Sequence, residues 1–191
     1  MKKILLLNLY LLPLLVLAKP QYPGFYVGGD IGTTRISFDD ISDGSDSAVS
    51  FGAYAGYNLN EWFGIEGHVY GTTDFSDSQG QDIYAGVFSI TPTFTLNFND
   101  MFSGYLKGGI SFIDIRVEQD TPYWGTYIDD LTGVGYVLGA GVDAAVSDYI
   151  VIRLAYEFTS GDLEFDDNGF YYDDSYQTNL SQFSLGVHYL F

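Results

Sequence analysis

The sequence predicts an all-β chain, folded as an eight-stranded antiparallel up-and-down transmembrane β-barrel. Three observations lead to this fold class. Apolar and polar side chains alternate along the chain, the links between these segments are alternately short and long, and the N-terminus is typical of an exported protein. A tilted strand needs about 9–11 residues to cross a bilayer. Eight segments alternate over at least that length, namely 24–38, 48–58, 62–73, 83–96, 101–115, 132–145, 149–159 and 177–191.

The two faces of these segments differ in chemistry. In 132–145, for example, Val134, Leu138 and Val142 alternate with small or polar residues such as Gly135 and Gly139. The apolar faces lack charge at their centres, where a charge facing lipid costs about 2–4 kcal/mol. The opposite faces carry Gly, Ser, Thr and isolated charges of both signs. We therefore expect the apolar face to contact lipid and the other face to line a narrow interior.

The links indicate which end of the barrel is which. Short turns are expected at 58–61, 97–100 and 146–148, and long polar loops at 39–46, 74–82, 117–131 and 160–176. Outer-membrane barrels have short periplasmic turns and long external loops, so an even strand count places both termini in the periplasm. Pro92 cannot donate to a ladder and predicts a bulge or irregularity. A periplasmic aromatic girdle is predicted from Tyr57, Trp62, Phe63, Phe98, Phe102, Tyr149, Tyr189 and Phe191.

The N-terminus predicts export. Lys2 and Lys3 precede an apolar run over 4–17, and Val16 and Ala18 occupy the −3 and −1 positions of a signal-peptidase site. The alternative is an N-terminal anchor, but the run is shorter than the ~20 apolar residues that a spanning helix needs. We expect a signal peptide at 1–18, a barrel at 19–191, and location in the outer membrane of a Gram-negative cell envelope.

Composition excludes several classes of function. The chain has 7 basic and 25 acidic residues, and loss of the two lysines with the signal peptide makes the balance still more acidic. Nucleic-acid binding is not expected, because phosphate contacts need Lys and Arg. The absence of cysteine excludes a disulfide framework, a thiolate metal site and a Cys nucleophile.

Five stretches resemble the transmembrane domain of OmpA-like outer-membrane proteins, a porin family. The resemblance covers nearly all of the mature chain and implies an eight-stranded barrel, here without the peptidoglycan-binding domain. It also implies that the barrel-assembly machinery reads a C-terminal signal formed by Gly186, Tyr189 and Phe191. The stretches are 24–32 (GFYVGGDIG), 52–68 (GAYAGYNLNEWFGIEGH), 140–143 (AGVD), 152–156 (IRLAY) and 184–191 (SLGVHYLF).

The resemblance also concerns charges inside the barrel. In this family an inward glutamate on the third strand pairs across the lumen with an inward arginine or lysine, and Glu66 and Arg153 occupy those positions. Asp30 departs from the pattern, because the family carries a lysine there. Acids then outnumber bases, which suggests shared protons or a bound cation. The cluster is either a lumen gate or a salt-bridge plug, and its members are Asp30, Glu66, Lys107, Asp143, Arg153 and Glu157.

The long loops hold most of the acidic residues. The last of them contains acids at 162, 164, 166, 167, 173 and 174. These carboxylates form either a solvated acidic surface or a weak divalent-cation site bridging to lipopolysaccharide phosphates. No cofactor and no other metal site is expected.

The predicted function is a structural or surface-interaction role for a monomer that presents acidic external loops to ions, lipopolysaccharide or host surfaces. The alternative is a narrow porin-like channel for small solutes or ions, although an eight-stranded interior is only wide enough for side chains. An enzyme is not expected, because His68 and His188 both face inward and neither adjoins a Ser nucleophile at the rim.

Overall fold

The computed structural model describes residues 23–38, 45–76, 81–121, 125–165 and 176–191, so the predicted signal peptide lies outside the described residues. Nine antiparallel strands account for almost all of these ranges. They are β1 (Gly24–Phe38), β2 (Ser45–Asn58), β3 (Phe63–Thr72), β4 (Phe75–Ser76), β5 (Gln81–Asn97), β6 (Phe102–Thr121), β7 (Gly125–Ala145), β8 (Ile150–Phe165) and β9 (Tyr176–Leu190).

The strands close into a barrel. Each long strand pairs with the next along the chain, β3 pairs with β5, and β1 pairs with β9, so the sheet closes on itself. The two-residue β4 pairs with the upper end of β5. The predicted fold class, an eight-stranded antiparallel up-and-down barrel, is therefore confirmed. No helix in the described part of the chain is long and apolar enough to cross a membrane.

Several strands are longer than the sequence prediction, and the predicted long loops are correspondingly wrong. β6 and β7 stay paired up to Thr121 and Gly125, so most of the predicted loop 117–131 is strand. β8 continues to Phe165, which removes the first residues of the predicted loop 160–176. The predicted loop 74–82 contains β4 and the start of β5, and that at 39–46 ends within β2.

The extra length has a physical cause: the alternation continues beyond the lipid-facing part with its polarity reversed. On β6, Asp114 and Arg116 point outward and are exposed, whereas Ile113 and Ile115 point inward and are buried. All nine strands contribute to one buried apolar cluster inside this part of the barrel. We call this cluster the apolar plug; it comprises Ile36, Ala48, Tyr70, Phe75, Ala85, Val87, Ile113, Ile115, Leu131, Leu163 and Leu180.

Below the reversal, the outer surface is a band of exposed apolar side chains. On β7 the band runs from Val134 to Ala144. Ten residue steps of about 3.3 Å at a tilt of about 40° give a height of about 25 Å, the height of the apolar band in outer-membrane barrels. On β7 the band therefore has the height of a bilayer core, and the part above it is built like a water-soluble β-barrel.

The three short turns share one local design. The observed turns are 59–62, 98–101 and 146–149, and in each the side-chain oxygen of the second residue accepts two backbone hydrogen bonds, so the turn is specified by neighbouring residues alone. Asn60 Oδ1 accepts from Trp62 N (3.0 Å) and Phe63 N (2.9 Å), Asn99 Oδ1 from Met101 N and Phe102 N (both 2.8 Å), and Ser147 Oγ from Tyr149 N (3.3 Å) and Ile150 N (3.0 Å).

Aromatic side chains surround the end of the barrel that carries these turns. The ring centroids of Trp62 and Phe94 are 6.4 Å apart, and those of Tyr149 and Tyr189 are 5.7 Å apart. Pro92, on the same half of β5, interrupts pairing with β6 at two positions without changing the register on either side. The predicted irregularity is thus a gap in the ladder and not a bulge.

Candidate functional site

Arg153 of β8 is the most highly connected charge in the barrel interior. Its Nε and Nη2 donate to the two carboxylate oxygens of Asp143, at 2.8 Å and 3.0 Å. Its Nη1 donates to Glu66 Oε2. Asp143 is the residue directly opposite Arg153 on β7, whereas Glu66 reaches it across the lumen from β3. One guanidinium therefore holds two acids.

Glu66 is almost completely buried, with 1% of its surface exposed, and it accepts hydrogen bonds at both carboxylate oxygens. Lys107 Nζ lies 2.7 Å from Oε1, and the Tyr26 hydroxyl donates to Oε2 at 2.8 Å. Arg153 completes the set. A buried carboxylate needs such partners, because its charge is costly without them.

Glu157 and His68 extend the cluster away from the turns. Lys107 Nζ is 2.6 Å from Glu157 Oε1, and His68 Nδ1 is 3.2 Å from the same oxygen. His68 Nε2 lies 3.0 Å from Asp30 Oδ2. Both ring nitrogens of His68 thus face carboxylates, and only the doubly protonated imidazolium donates to both.

These residues form one unbroken series of opposite charges, Asp143, Arg153, Glu66, Lys107, Glu157, His68 and Asp30, which we call the charged network. It brings together all six lumen charges named from the sequence. His68 is the member that the sequence reasoning did not include, although its inward position two residues after Glu66 was evident. With His68 cationic, the charged network holds four acids and three bases, so half of the apparent acid surplus is balanced within the protein.

Tyrosines surround the arginine end of the charged network. The Arg153 guanidinium carbon lies 4.4 Å from the ring centroid of Tyr105 and 4.9 Å from that of Tyr54, distances typical of cation–π contacts. The Tyr54 hydroxyl lies 3.1 Å from Nδ1 of His188, the second inward histidine. Each histidine is therefore engaged in the interior, His68 with carboxylates and His188 with a phenol.

Inward glycines make room for these large side chains. A Cβ added to Gly56 would lie 2.2 Å from the Tyr26 ring, and one added to Gly52 would lie 2.7 Å from His68 Nε2. Real Cβ atoms do not approach other atoms so closely. The glycines on the inner face therefore save volume.

The interior is filled at two heights. The cavity within the charged network measures only about 10 Å³, which is about the space of one water molecule. Farther from the turns, the apolar plug spans the cross-section, and Phe75, Leu163 and Leu180 in it have no exposed surface. Ion pairs and hydrocarbon thus occlude the lumen in series.

The C-terminal residues named from the sequence lie on the last strand and at its end. Gly186 faces inward, and a Cβ there would lie 2.9 Å from the Tyr54 hydroxyl. Tyr189 is exposed and contacts the exposed Phe191 edge-on, with centroids 5.0 Å apart. The backbone N–H of Phe191 donates to the carbonyl of Phe25 at 2.9 Å, which ties the C-terminus to β1.

The proposed cation site in the last acidic loop falls mostly on residues 166–175, which lie outside the described residues. Asp162 and Glu164 belong to β8 instead and point outward. Within the described ranges, no group of three His, Asp or Glu side chains has a geometry that could hold a metal ion.

Comparison with known proteins agrees with the architecture. A 22 kDa outer membrane protein of Rhizobium leguminosarum bv. viciae is 29% identical over 174 residues, which cover 87% of this chain and 78% of that protein. Three solved structures superpose over most of both chains. Neisserial surface protein A superposes with a TM-score of 0.70 and 17% identity, over 87% of this chain and 97% of that one. OprG from Pseudomonas aeruginosa superposes with a TM-score of 0.63 and 14% identity, over 92% of this chain and 99% of that one. Ail from Yersinia pestis superposes with a TM-score of 0.61 and 18% identity, over 90% of this chain and 100% of that one.

The match to a sequence family is more extensive than any of these. The model of the outer membrane protein beta-barrel domain matches residues 4–191, which is nearly the whole chain. An exterior apolar band, a closed barrel and a charged interior are the features that such a domain requires. The chain therefore belongs to the outer membrane protein beta-barrel domain family.

Proposed function

We propose that this outer-membrane barrel does not conduct solutes and acts through its outer surface, as a structural element of the membrane and a platform for surface interactions. The observation that carries the proposal is the double occlusion of the lumen. The cavity within the charged network is about 10 Å³, and the apolar plug lies above it. A barrel filled in this way has its exterior and its external end available for function.

The extension of the strands beyond the lipid-facing band supports this role. Exposed acids lie on the outer wall of this extension, among them Asp82, Asp114 and Asp162. Because the strands stay hydrogen-bonded in this region, the loops begin at the end of a β-sheet that extends beyond the lipid-facing band, and not at the membrane surface. We propose that the acidic loops are thereby presented to ions, lipopolysaccharide or host surfaces.

The orientation that this role needs has both termini and the three short turns in the periplasm. The aromatic side chains near the turns support it, since aromatic girdles mark membrane interfaces. The acidic, polar wall at the other end is suited to the cell exterior. We also propose that the barrel is a monomer. We propose that it has no enzymatic activity, because both inward histidines are engaged with interior partners.

A narrow channel is the second candidate, and one contact favours it. Glu66 accepts from both Lys107 and Arg153, so it could keep one partner while the other moves. A gate of that kind would open the charged network only. The apolar plug would still close the lumen, so conduction requires a second, independent opening.

Planar-bilayer conductance of the purified barrel separates the two candidates. We expect no conductance steps from the wild type, from Glu66→Ala/Lys107→Ala, or from Phe75→Ala/Leu180→Ala. Combining all four substitutions should give steps, because both occlusions are then weakened. Heat-modifiability on gels provides the control that each variant is folded.

Steady conductance of the wild-type barrel would overturn the proposal in favour of the channel. Conductance of the Glu66→Ala/Lys107→Ala variant alone would show that the charged network is the sole gate. That result would also contradict a closed apolar plug.

Assembly by the barrel-assembly machinery can be tested at the C-terminus. Phe191 is exposed, and its ring contacts Tyr189, so its side chain is not part of the barrel interior. Deletion of Phe191 should lower insertion and leave export intact. Phe183→Leu, on the same face of β9, is the matched control and should insert normally; wild-type insertion of the truncated chain would contradict this role.

A further inference from the structure

The outer wall beyond the lipid-facing band has two sides that differ in charge. One side carries exposed acids, among them Asp114 on β6 and Asp162 on β8. On β9, β1 and β2, the outward side chains that the structure describes include no acid, although the chain has 25 acidic and 7 basic residues. Among these described side chains the charged one is Arg35 of β1, which is exposed. This side of a strongly acidic protein is therefore positive.

Arg35 differs from the other basic residues that the structure describes. Lys107 and Arg153 contact carboxylates in the charged network. Arg116 lies 2.9 Å from Asp130 on the acidic side of the wall. Within the described ranges, Arg35 has no ion pair and no outward carboxylate on the strands beside it. Its guanidinium N–H donors are therefore available to a ligand.

Two serines flank Arg35 and add further donors. Arg35 pairs with Ser47 of β2 and with Ser181 of β9, so the three side chains point outward side by side. Directly opposite residues have Cβ atoms about 4.5–5.5 Å apart. The Tyr156 hydroxyl donates to Ser181 Oγ at 3.3 Å, which leaves the Ser181 hydroxyl hydrogen to donate elsewhere. We call Ser47, Arg35 and Ser181 the donor row; it is suited to an anion with several oxygens.

The donor row lies where the membrane changes from hydrocarbon to headgroups. The next outward residues toward the turns are apolar on both neighbouring strands, Val49 on β2 and Phe183 on β9, and both are exposed. Two residue steps at a tilt of about 40° put the donor row about 5 Å beyond them. The headgroup layer is about 5–8 Å deep on each side of the hydrocarbon core. Arg35 therefore meets headgroups, and its aliphatic stem can lie on the apolar side chains.

We propose that the donor row binds the phosphate of a lipid whose headgroup carries net negative charge. The guanidinium of Arg35 pairs with two phosphate oxygens, and the serine hydroxyls on either side donate to the remaining ones. The acyl chains lie along Val49 and Phe183. In the proposed orientation this lipid is lipopolysaccharide. Only that last identification rests on the orientation, which accessibility of the short turns tests separately, so the phosphate site survives if the orientation is wrong.

Fluorescence quenching by brominated lipids tests the proposal. The reporter is Phe183→Trp, one outward position from the donor row, in a chain that also carries Trp62→Phe and Trp124→Phe and so has no other tryptophan. The matched reporter is Phe112→Trp on β6, which is also exposed but lies one outward position from Asp114. Each protein is reconstituted in phosphatidylcholine vesicles that contain a small fraction of brominated phosphatidic acid or brominated phosphatidylcholine.

Quenching at Phe183→Trp should show phosphatidic acid enriched about fivefold over phosphatidylcholine, the effect expected of one arginine beside an anionic headgroup. Phe112→Trp should show no enrichment. Arg35→Gln should abolish the enrichment at Phe183→Trp, and Arg35→Lys should keep part of it, since lysine retains the charge but not the bidentate geometry. Arg116→Gln is the matched control for loss of an exposed arginine and should leave the enrichment unchanged. Heat-modifiability on gels shows that each variant is folded.

Four results would overturn the proposal. Equal quenching by the two lipids at Phe183→Trp would show that the donor row does not select a negative headgroup. Enrichment at both reporters, or its persistence in Arg35→Gln, would assign it to the bilayer or to the barrel as a whole. Loss of the enrichment when inorganic phosphate replaces chloride at constant ionic strength would assign the donor row to a soluble anion.

Discussion

Arg153 and Asp143 are directly opposite each other on β8 and β7, and both prongs of the guanidinium hydrogen-bond the carboxylate, at 2.8 Å and 3.0 Å. The remaining nitrogen of Arg153 donates to Glu66, which keeps Lys107 as a second partner. The acid most dependent on Arg153 is therefore its neighbour on the adjacent strand, and not the glutamate across the lumen.

Arg153→Met should lower the free energy of unfolding by about 3–5 kcal/mol, because it leaves buried charge without a partner. Adding Asp143→Asn should recover more of this loss than adding Glu66→Gln, since Glu66 retains Lys107 at 2.7 Å. Urea unfolding in lipid vesicles measures both double-mutant cycles. Coupling below about 0.5 kcal/mol between Arg153 and Asp143 would contradict the observed pairing.

His68→Gln should destabilise the barrel more than His188→Gln. The first substitution removes a cation that lies between Asp30 and Glu157, and a broken buried pairing costs about 3–5 kcal/mol. The second removes one contact with Tyr54, worth about 0.5–1.5 kcal/mol. Both are measured by urea unfolding at neutral pH. Equal losses would mean that His68 is not cationic in the charged network.

Gly56→Ala should lower the unfolding free energy by about 1–3 kcal/mol, the typical cost of overpacking, because the new methyl group would overlap the Tyr26 ring. Gly67→Ala is the matched control. Gly67 lies on the neighbouring strand but faces outward, and its added Cβ would meet nothing closer than 3.9 Å. Urea unfolding should therefore show a larger loss of stability for Gly56→Ala than for Gly67→Ala. Equal unfolding free energies would contradict the interior packing.

Cysteine labelling tests the orientation and the height of the lipid-facing band, since the natural chain has no cysteine. A membrane-impermeant maleimide on whole cells should label Arg35→Cys and Ser47→Cys, which lie outward on the extended part of the barrel. Asp100→Cys, in a short turn, should react only after the outer membrane is opened, and Leu138→Cys, in the apolar band, should stay protected. Labelling of Asp100→Cys on intact cells would reverse the orientation.

The strands and the face on which each side chain lies could be predicted from the sequence, because both depend on local alternation. The bounds 24–38 predicted for the first strand are those of β1, and the predicted inward and outward faces of β7 are the observed ones. The prediction places the upper ends of β6, β7 and β8 too early, because it rests on an apolar outer face. Beyond Phe112 the same alternation continues with Ile113 and Ile115 inside, which is a signal that the sequence does contain.

The sequence predicts less well which charged side chains contact one another inside the barrel. Alternation shows that Glu66, Arg153 and Asp143 face inward, but the contacts among them depend on how the strands are staggered around the barrel. Cross-strand neighbours such as Asp143 and Arg153 follow once the register of one hairpin is known. The link from Lys107 to Glu66 crosses the lumen and requires the closed three-dimensional structure.

The lipid-facing band has unequal height around the barrel. On β1 its apolar residues run only from Phe25 to Ile31, six residue steps, or about 15 Å at the same tilt that gives about 25 Å for β7. On β3 it is equally short, from Phe63 to Val69. A bilayer of uniform thickness mismatches one side or the other, at a cost of a fraction of a kcal/mol per Å. The surrounding membrane must therefore thin beside β1 and β3, or the barrel must lean from the membrane normal.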